Sequence, residues 1–191
     1  MRLSRTFYLG AFLMVLCLVS AGALGYTFQL TQPRIQAHYE EARQRAMSEA
    51  LPGADEFTDA PDWVDEKLDD PEFAEIDEAN VGKADDRRIG YVFTASPYGY
   101  ADEIVMMVGI SEQQIKSIEI LRQAETPGLG ARITGKDWQA QFSGLPINEE
   151  IAVVQDGGQI DSLTGATVSS EAVAAGVDMA RRLYERIRKE R

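Results

Sequence analysis

The stretch Asp161-Ser162-Leu163-Thr164-Gly165-Ala166-Thr167-Val168-Ser169-Ser170 is a run of small and hydroxylated residues that leads into a predicted C-terminal helix. The helix is expected to run to about Arg188, with Ser169 or Ser170 as its N-cap. Its predicted buried face carries Val173, Val177, Ala180, Leu183, Tyr184 and Ile187 at helical spacing. Two interpretations fit the run. It is either a set of turn and capping residues, or a loop whose free N–H groups at a helix N-terminus suit a phosphate.

The N-terminal thirty residues form a predicted membrane anchor. No charged side chain occurs from Thr6 to Pro33. A helix from Phe7 to Phe28 would extend about 33 Å, enough to cross a hydrocarbon core of about 30 Å. Arg2 and Arg5 precede the span, so the positive-inside rule places the N-terminus in the cytoplasm and the rest outside it. We therefore predict a single-pass protein of the inner (cytoplasmic) membrane, with a cytoplasmic stub and anchor at residues 1–30.

A cleaved signal peptide is the alternative to this anchor, because two arginines, an apolar core and the small residues Ala21-Gly22-Ala23 fit that pattern too. The length of the uncharged stretch favours a retained anchor, and either interpretation exports the remaining chain. Cys17 is the only cysteine and lies inside the stretch, so no disulfide can form within the chain. Thr31-Gln32-Pro33 signals a helix start and Pro52-Gly53 a helix end, which predicts a stalk helix at residues 31–52.

Residues 55–86 hold the excess negative charge of the chain. They contain fourteen acids against Lys67 and Lys83, a net charge of −12; the whole chain also carries −12, so the remainder sums to zero. This acidity excludes nucleic acid as a partner. The segment is predicted to be a solvated connection that its own repulsion keeps open, or a docking face for a positively charged partner protein. The apolar residues expected to fix it to the domain are Phe57, Trp63, Phe73 and Ile76.

The pattern between residues 89 and 121 indicates β-strands separated by short turns, which predicts an antiparallel meander. The three strands are Ile89–Ala95, Glu103–Ile110 and Ile115–Leu121. A short helix at Asp137–Phe142, with Trp138 and Phe142 facing inward, and a last strand at Ile151–Val154 are expected to follow. The predicted fold class is α+β: a single N-terminal transmembrane helix, then one mixed, mainly antiparallel sheet domain at residues 53–191 that ends in a helix.

The sequence offers little catalytic chemistry. His38 is the only histidine, and no cysteine lies outside the apolar stretch, so neither a transition-metal site nor a nucleophile with its base is predicted. The glycine patterns of triphosphate and dinucleotide sites are not found either. Glu125-Thr126-Pro127-Gly128-Leu129-Gly130 is a second loop whose glycines would allow close backbone approach to a ligand.

The two loops resemble the two signatures of the extracytoplasmic FMN-binding domain family. Asp161 to Thr167 is similar to the flavinylation motif of that family, Asp-x-x-Ser/Thr-Gly-Ala-Thr, and Glu125 to Gly130 is similar to its second signature. The N-terminal span, the Tyr98-Gly99-Tyr100 turn and the Val108-Gly109-Ile110 strand end also fit. The family includes the RnfG subunit of Rnf electron-transport complexes and the NqrC subunit of sodium-pumping NADH:quinone oxidoreductases, and the length of this chain favours the RnfG type.

The resemblance implies a covalent flavin. In the family, a separate ApbE-type flavin transferase joins the FMN phosphate to the hydroxyl of the last threonine of the motif, here Thr167. The resemblance also implies that Asp161 and Thr164 are recognition positions and that the loop at 125–130 forms a wall near the flavin ring. The cofactor-binding residues expected on this ground are Thr167, Asp161, Ser162, Thr164, Gly165, Ala166, Glu125, Thr126, Leu129 and Gly130.

The implied function is a membrane-anchored electron-transfer subunit of an Rnf-type ferredoxin:NAD+ oxidoreductase, which couples electron flow to ion translocation. Such a subunit would work with other membrane subunits and would not be catalytic alone. The alternatives are a subunit of a sodium-pumping NADH:quinone oxidoreductase, a stand-alone exported flavoprotein reductase, and a sensory module. The sequence shows no clustered arginines or histidines for a substrate pocket and no room for a signalling domain, which favours the first interpretation.

Overall fold

The computed structural model of the chain describes residues 2–190, with side chains from Phe7 to Glu190. It comprises two compact units, Met1–Ala42 and Arg43–Arg191. The first unit consists of helix α1, whose full span is Arg2–Ala50. From Phe7 onward α1 is long and apolar enough to cross a membrane, with a mean hydropathy of 2.2 in its most apolar window. The side chains of Arg2 and Arg5, on which the predicted orientation rests, lie outside the described range.

The helix start predicted at Thr31-Gln32-Pro33 is wrong, because α1 continues through Pro33 without interruption. Proline removes one helical hydrogen bond, and helices of this apolar type tolerate that loss. The Thr31 hydroxyl donates to the Thr27 carbonyl at 2.9 Å, so its side chain bonds to the preceding turn of the same helix and does not cap a new one.

The second unit is built on a five-stranded antiparallel sheet with the strand order β1-β2-β3-β4-β5. The strands are β1 Glu56–Asp59, β2 Ile76–Ala84, β3 Arg87–Ala95, β4 Val105–Ser111 and β5 Gln114–Arg122. The helices of this unit are α2 Asp62–Leu68, α3 Lys136–Gln139 and α4 Thr167–Lys189, and single 3₁₀ turns occur at Pro71–Phe73, Gly130–Thr134, Ala140–Phe142 and Val154–Asp156. The α+β class and the predicted meander, which is β3 to β5, are confirmed.

Both faces of the sheet are covered within this unit. Helix α4 lies on one face, where its apolar stripe packs with Phe93, Met106 and other strand residues in the main core. The last turns of α1 lie on the opposite face, where Met47 and Ala50 pack with Val92 and Met107. Successive strand residues point to opposite faces, which is why Met106 and Met107 contribute to different clusters.

The acidic segment at residues 55–86 is folded, so its interpretation as a solvated connection is wrong. It supplies β1, α2 and β2, and it buries Phe73 and Ile76 to 1% and 4% exposure. Phe57 packs against the α1 side of the sheet, whereas Trp63 remains 37% exposed. The prediction that apolar residues fix this segment to the domain was correct apart from Trp63. The strands were not predicted because charged residues surround these apolar positions in the sequence.

Arginines of α4 pair with two acids of this segment, and Arg43 of α1 pairs with a third acid, Glu78. Arg186 binds Asp70 at 2.7 Å and Glu72 at 3.0 Å, and Arg182 binds Glu72 at 2.5 Å. Lys67 and Glu190 form a further ion pair between α2 and the residue after α4. The backbone N–H of Glu72 and then the Arg186 guanidinium hold the pKa of the Asp70 carboxyl below its usual range. The basic end of α4 therefore binds the 3₁₀ turn at Pro71–Phe73 as well as favouring its own helix.

Two predictions about the later chain have different outcomes. The short helix at 137–142 is confirmed: α3 and the following 3₁₀ turn place Trp138 and Phe142 inside, with ring centroids 5.4 Å apart. The strand predicted at Ile151–Val154 is wrong, because only one isolated bridge joins Val153 to Ile160. A tight turn with Gly157 at φ 87° folds this segment back on itself, so its backbone bonds to that turn and not to the sheet.

Candidate flavin site

A cavity of about 480 Å³ opens where the two predicted loops meet the start of α4. Its walls contain Tyr100, Glu125, Thr126, Leu129, Gly130, Gly165, Ala166, Thr167, Val168 and Ser169. A Cβ built on Gly165 would lie 3.2 Å from Cδ2 of Leu129, so the two loops are in direct contact. Residues far apart in the sequence thus form one site.

Thr167 is the first residue of α4, and its side chain is exposed on the cavity wall. The preceding Ala166 has no side chain able to cap the helix, and Gly165 turns the chain into it with φ 79°, a conformation that favours glycine. The first intrahelical bond runs from Ser170 N to Ala166 O at 3.1 Å. By helix geometry, the N–H groups of Thr167, Val168 and Ser169 have no acceptor within the helix and can bind a ligand anion, which the helix dipole also favours.

The predicted N-cap, Ser169 or Ser170, is wrong, because both residues lie inside the first turn of α4 and are buried. Ser170 Oγ accepts from Leu163 N and donates to Ala166 O, each at 3.0 Å, and so holds the preceding loop against the helix. Ser169 Oγ donates to Glu125 Oε2 at 2.5 Å and ties the helix to the second loop. The helix start is thereby left uncapped by side chains.

The loop at 125–130 is held by its own backbone. Thr126 O accepts from Leu129 N at 3.1 Å and from Ala131 N at 3.2 Å, which closes a turn around Pro127-Gly128. Leu129 stays 45% exposed at the cavity, and Tyr100 at 72% and Val168 at 46% also present large apolar surfaces there. The walls therefore combine a polar end at the start of α4 with exposed apolar and aromatic side chains.

Three predicted positions lie away from the cavity: Asp161, Ser162 and Thr164 are absent from its lining. The Asp161 carbonyl accepts from Trp138 Nε1 at 2.8 Å, so its backbone is anchored while its side chain is exposed. Ser162 Oγ accepts from Gln155 at 2.6 Å, and Thr164 is exposed. The other seven predicted positions line the cavity, and their contact with a cofactor stays a prediction.

Sequence reasoning missed three residues of the lining: Tyr100, Val168 and Ser169. Tyr100 belongs to the Tyr98-Gly99-Tyr100 turn, which is part of the family resemblance. That resemblance could have placed Tyr100 at the site. Val168 and Ser169 follow Thr167 directly, and only the knowledge that the helix begins at Thr167 shows that they face the cavity.

The arrangement suits binding more than catalysis. Within the part of the chain that the structure describes, no cluster of His, Cys, Asp or Glu could hold a metal ion. The cavity volume falls in the range of about 300–1,000 Å³ typical of small-molecule sites. The free N–H groups at Thr167 suit a phosphate, and the apolar walls suit a planar ring system, so the residues present fit a flavin mononucleotide.

Comparison with protein families defines the class of this domain. The family model named FMN-binding domain matches residues 99–182, a range that includes every residue lining the cavity. The chain therefore contains an FMN-binding domain.

Relatives that match nearly the whole chain define the family more narrowly. The chain is 35% identical over 96% of its length to the G subunit of the Na+-translocating ferredoxin:NAD+ oxidoreductase complex of Acetobacterium woodii, and covers 93% of that protein. It is 32% identical to the G subunit of an ion-translocating oxidoreductase complex of Methanosarcina acetivorans, over 88% of each chain. This chain belongs to the family of G subunits of ion-translocating oxidoreductase complexes, the RnfG family.

A solved structure supports the fold. The C subunit of the Na+-translocating NADH-quinone reductase from Parabacteroides distasonis superposes with a TM-score of 0.52 at 19% identity, covering 79% of this chain and 94% of that one. The two proteins share a fold at this level of similarity.

Proposed function

We propose that this chain is a membrane-anchored electron-transfer subunit of an Rnf-type ferredoxin:NAD+ oxidoreductase and that it carries FMN covalently on Thr167. One observation carries the attachment: Thr167 is exposed at the uncapped start of α4, on the wall of the cavity where both sequence signatures meet. The full-length similarity to G subunits supports membership of a multi-subunit ion-translocating complex.

Different residues of the chain would hold the phosphate end and the ring system of such a cofactor. The N–H groups of the first turn of α4 would bind the phosphate end. Leu129, Tyr100 and Val168 would contact the ring system and exclude part of the water around it. When bound, the flavin supplies redox chemistry that no side chain of the site can provide.

Forming a phosphoester at Thr167 requires that one bond to phosphorus forms while another breaks. Thr167 Oγ forms a bond to the 5′-phosphorus of the flavin and loses its proton to solvent. The bond that breaks must join this phosphorus to a better leaving group than hydroxide, so the donor is a flavin dinucleotide whose pyrophosphate releases a nucleoside monophosphate. An ApbE-type flavin transferase would catalyse this step, and the exposed Asp161 and Thr164 side chains remain accessible for it to recognise.

The topology of the chain is part of the proposal. The apolar helix α1 anchors the protein in the inner membrane, with the N-terminus in the cytoplasm and the FMN-binding domain outside. A covalent bond keeps the cofactor on a domain that has no cytoplasmic flavin pool around it. The similarity to G subunits at full coverage favours this role over a quinone-reductase component or a stand-alone reductase.

The attachment is tested by substituting Thr167 in the full-length protein, produced together with a flavin transferase. The wild type should give a flavin-fluorescent band on a denaturing gel, and Thr167→Val should give none because the acceptor oxygen is removed. Thr134→Val is the matched control, since Thr134 is an exposed threonine outside this cavity, and it should fluoresce like the wild type. A fluorescent Thr167→Val band would refute attachment at this residue.

The topology is tested separately with an alkaline-phosphatase fusion after Arg191. The enzyme is active only outside the cytoplasm, so an active fusion is expected. An inactive fusion that is nevertheless produced at full length would contradict the proposed orientation.

A further inference from the structure

Glu125 is a buried acid on the cavity wall, only 4% exposed. Its Oε1 accepts from Ala101 N at 3.0 Å, and its Oε2 accepts from Ser169 Oγ at 2.5 Å. These bonds join three separate segments: the turn after β3, the 125–130 loop and the start of α4. Both oxygens of the Glu125 side chain therefore have a hydrogen-bond partner.

The backbone on both sides is shaped around this carboxylate. A Cβ on Gly99 would lie 2.5 Å from Glu125 Oε1, and a Cβ on Gly130 would lie 2.6 Å from Oε2. Real Cβ atoms do not approach oxygen this closely, so the carboxylate occupies space that two glycines leave open. The position of the carboxylate is therefore fixed from two directions.

The two hydrogen-bond partners of Glu125, a backbone N–H and a serine hydroxyl, are both uncharged. Among the residues that the structure describes, no lysine, arginine or histidine forms an ion pair with it, although acids elsewhere in the domain, such as Asp70 and Glu72, are paired with arginines. Ligand cavities are mostly apolar and contain a few fixed polar groups that orient the ligand. A buried carboxylate held by two donors in the wall of this cavity therefore points to a functional use.

We infer that Glu125 is a positioning residue that also fixes a negative charge beside the bound flavin and thereby lowers the reduction potential of that flavin. The inference rests on the proposed function, since it requires FMN in this cavity. In its anionic reduced form, a bound flavin would carry additional negative charge beside Glu125. Repulsion from a nearby carboxylate is strong where water is excluded, so the reduced form becomes less favourable.

Two variants of the full-length flavinylated protein test this with opposite signs. Glu125→Gln keeps both contacts, because its carbonyl accepts from Ala101 N and its amide donates to Ser169 Oγ, but it removes the charge. Glu125→Gln should raise the reduction potential by about 30 mV or more. For a two-electron couple, about 30 mV corresponds to a tenfold higher ratio of reduced to oxidised flavin. Ser169→Ala removes one of the two hydrogen-bond donors to the Glu125 carboxylate. The negative charge is then less compensated, so the reduction potential of the flavin should fall.

Spectroelectrochemical titration measures both potentials, and the opposite signs separate an electrostatic role from structural damage, which would shift both variants alike. If Glu125→Gln does not retain flavin, the sign of the Ser169→Ala shift decides: a lower potential supports the inference, and an equal or higher one overturns it. Unchanged potentials in flavin-loaded variants overturn the role of Glu125 and leave the proposed function standing. A wild-type chain without bound flavin overturns both.

Discussion

The cavity at the start of α4 and the acidic segment at residues 55–86 are both polar, yet they use their charges in opposite ways. In the acidic segment, Asp70 and Glu72 are partly exposed and bound by Arg182 and Arg186 of α4. At the cavity, Glu125 is buried and bonded only to neutral donors, and Thr167 has its hydroxyl exposed. The acidic segment pairs its exposed acids with arginines, whereas the cavity leaves the Thr167 hydroxyl exposed and able to meet a ligand.

This difference separates stability from cofactor binding. The acidic segment supplies two strands and a core aromatic residue, but none of its residues lines the cavity. Substitutions in the acidic segment should lower the free energy of unfolding without altering the flavin, whereas substitutions at the cavity should alter the bound flavin. The following substitutions test this separation, in order of their expected effect on stability.

The largest effect is expected at Phe73, which is 1% exposed and packs under the Arg186 guanidinium at 4.9 Å. Phe73→Ala should lower the free energy of unfolding by about 3–5 kcal/mol, because it removes buried apolar surface and leaves a cavity. Urea unfolding followed by circular dichroism in detergent would measure the loss. Trp63→Ala is the control from the same segment, and it should have a small effect because Trp63 is 37% exposed. Loss of flavin from the folded Phe73→Ala protein would contradict the proposed separation between stability and cofactor binding.

An intermediate effect is expected at Gly130, where a Cβ would lie 2.6 Å from both Glu125 Oε2 and Ser169 Oγ. Gly130→Ala must push these groups apart, at a cost of about 1–3 kcal/mol in unfolding free energy. The same displacement should change the absorbance and fluorescence of the bound flavin. Gly135→Ala is the control, since its nearest contact is a single carbonyl at 3.1 Å. A flavin spectrum unaltered by Gly130→Ala would contradict the placement of the cofactor in this cavity.

The smallest effect is expected at Arg186, whose ion pairs are partly exposed and therefore weak. Its presence contributes to the lowered pKa of Asp70, so its stabilising effect exists above the unfolded pKa of an aspartate, about 3.9. The effect is lost as the pH falls through the lower folded pKa. Arg186→Gln should therefore unfold more easily than the wild type near neutral pH, and the difference should shrink in acid. Arg188→Gln, at an exposed position, should show no such pH-dependent difference; equal behaviour of the two variants would contradict the role of the Asp70 pair.

The parts predicted correctly from the sequence depend on local patterns. Strands β3 to β5 follow from alternating apolar residues between short turns, and the apolar stripe of α4 follows from its helical spacing. The two loops of the site could be located because they resemble known signatures. Glycines at positions such as 165 have a local conformational reason, which is visible in a single sequence.

The parts that were missed depend on distant partners. Strands β1 and β2 lie among acids: β1 pairs with β2, β2 pairs with β3, and the turn before β2 is ion-paired to α4, more than one hundred residues away. The capping prediction failed because α4 begins at Thr167, before either serine, and Ser169 instead bonds to Glu125, forty-four residues earlier in the chain. No local pattern contains these contacts.

The most direct test of covalent attachment is the position of the flavin on the polypeptide. Trypsin cleavage after Lys136 and Arg181 yields a peptide from Asp137 to Arg181 that contains Thr164, Thr167 and Ser169. Fragmentation of this peptide by mass spectrometry should find the mass of one flavin mononucleotide, less water, on Thr167. An unmodified peptide from a flavin-containing preparation, or the same mass on another residue, would contradict the central claim.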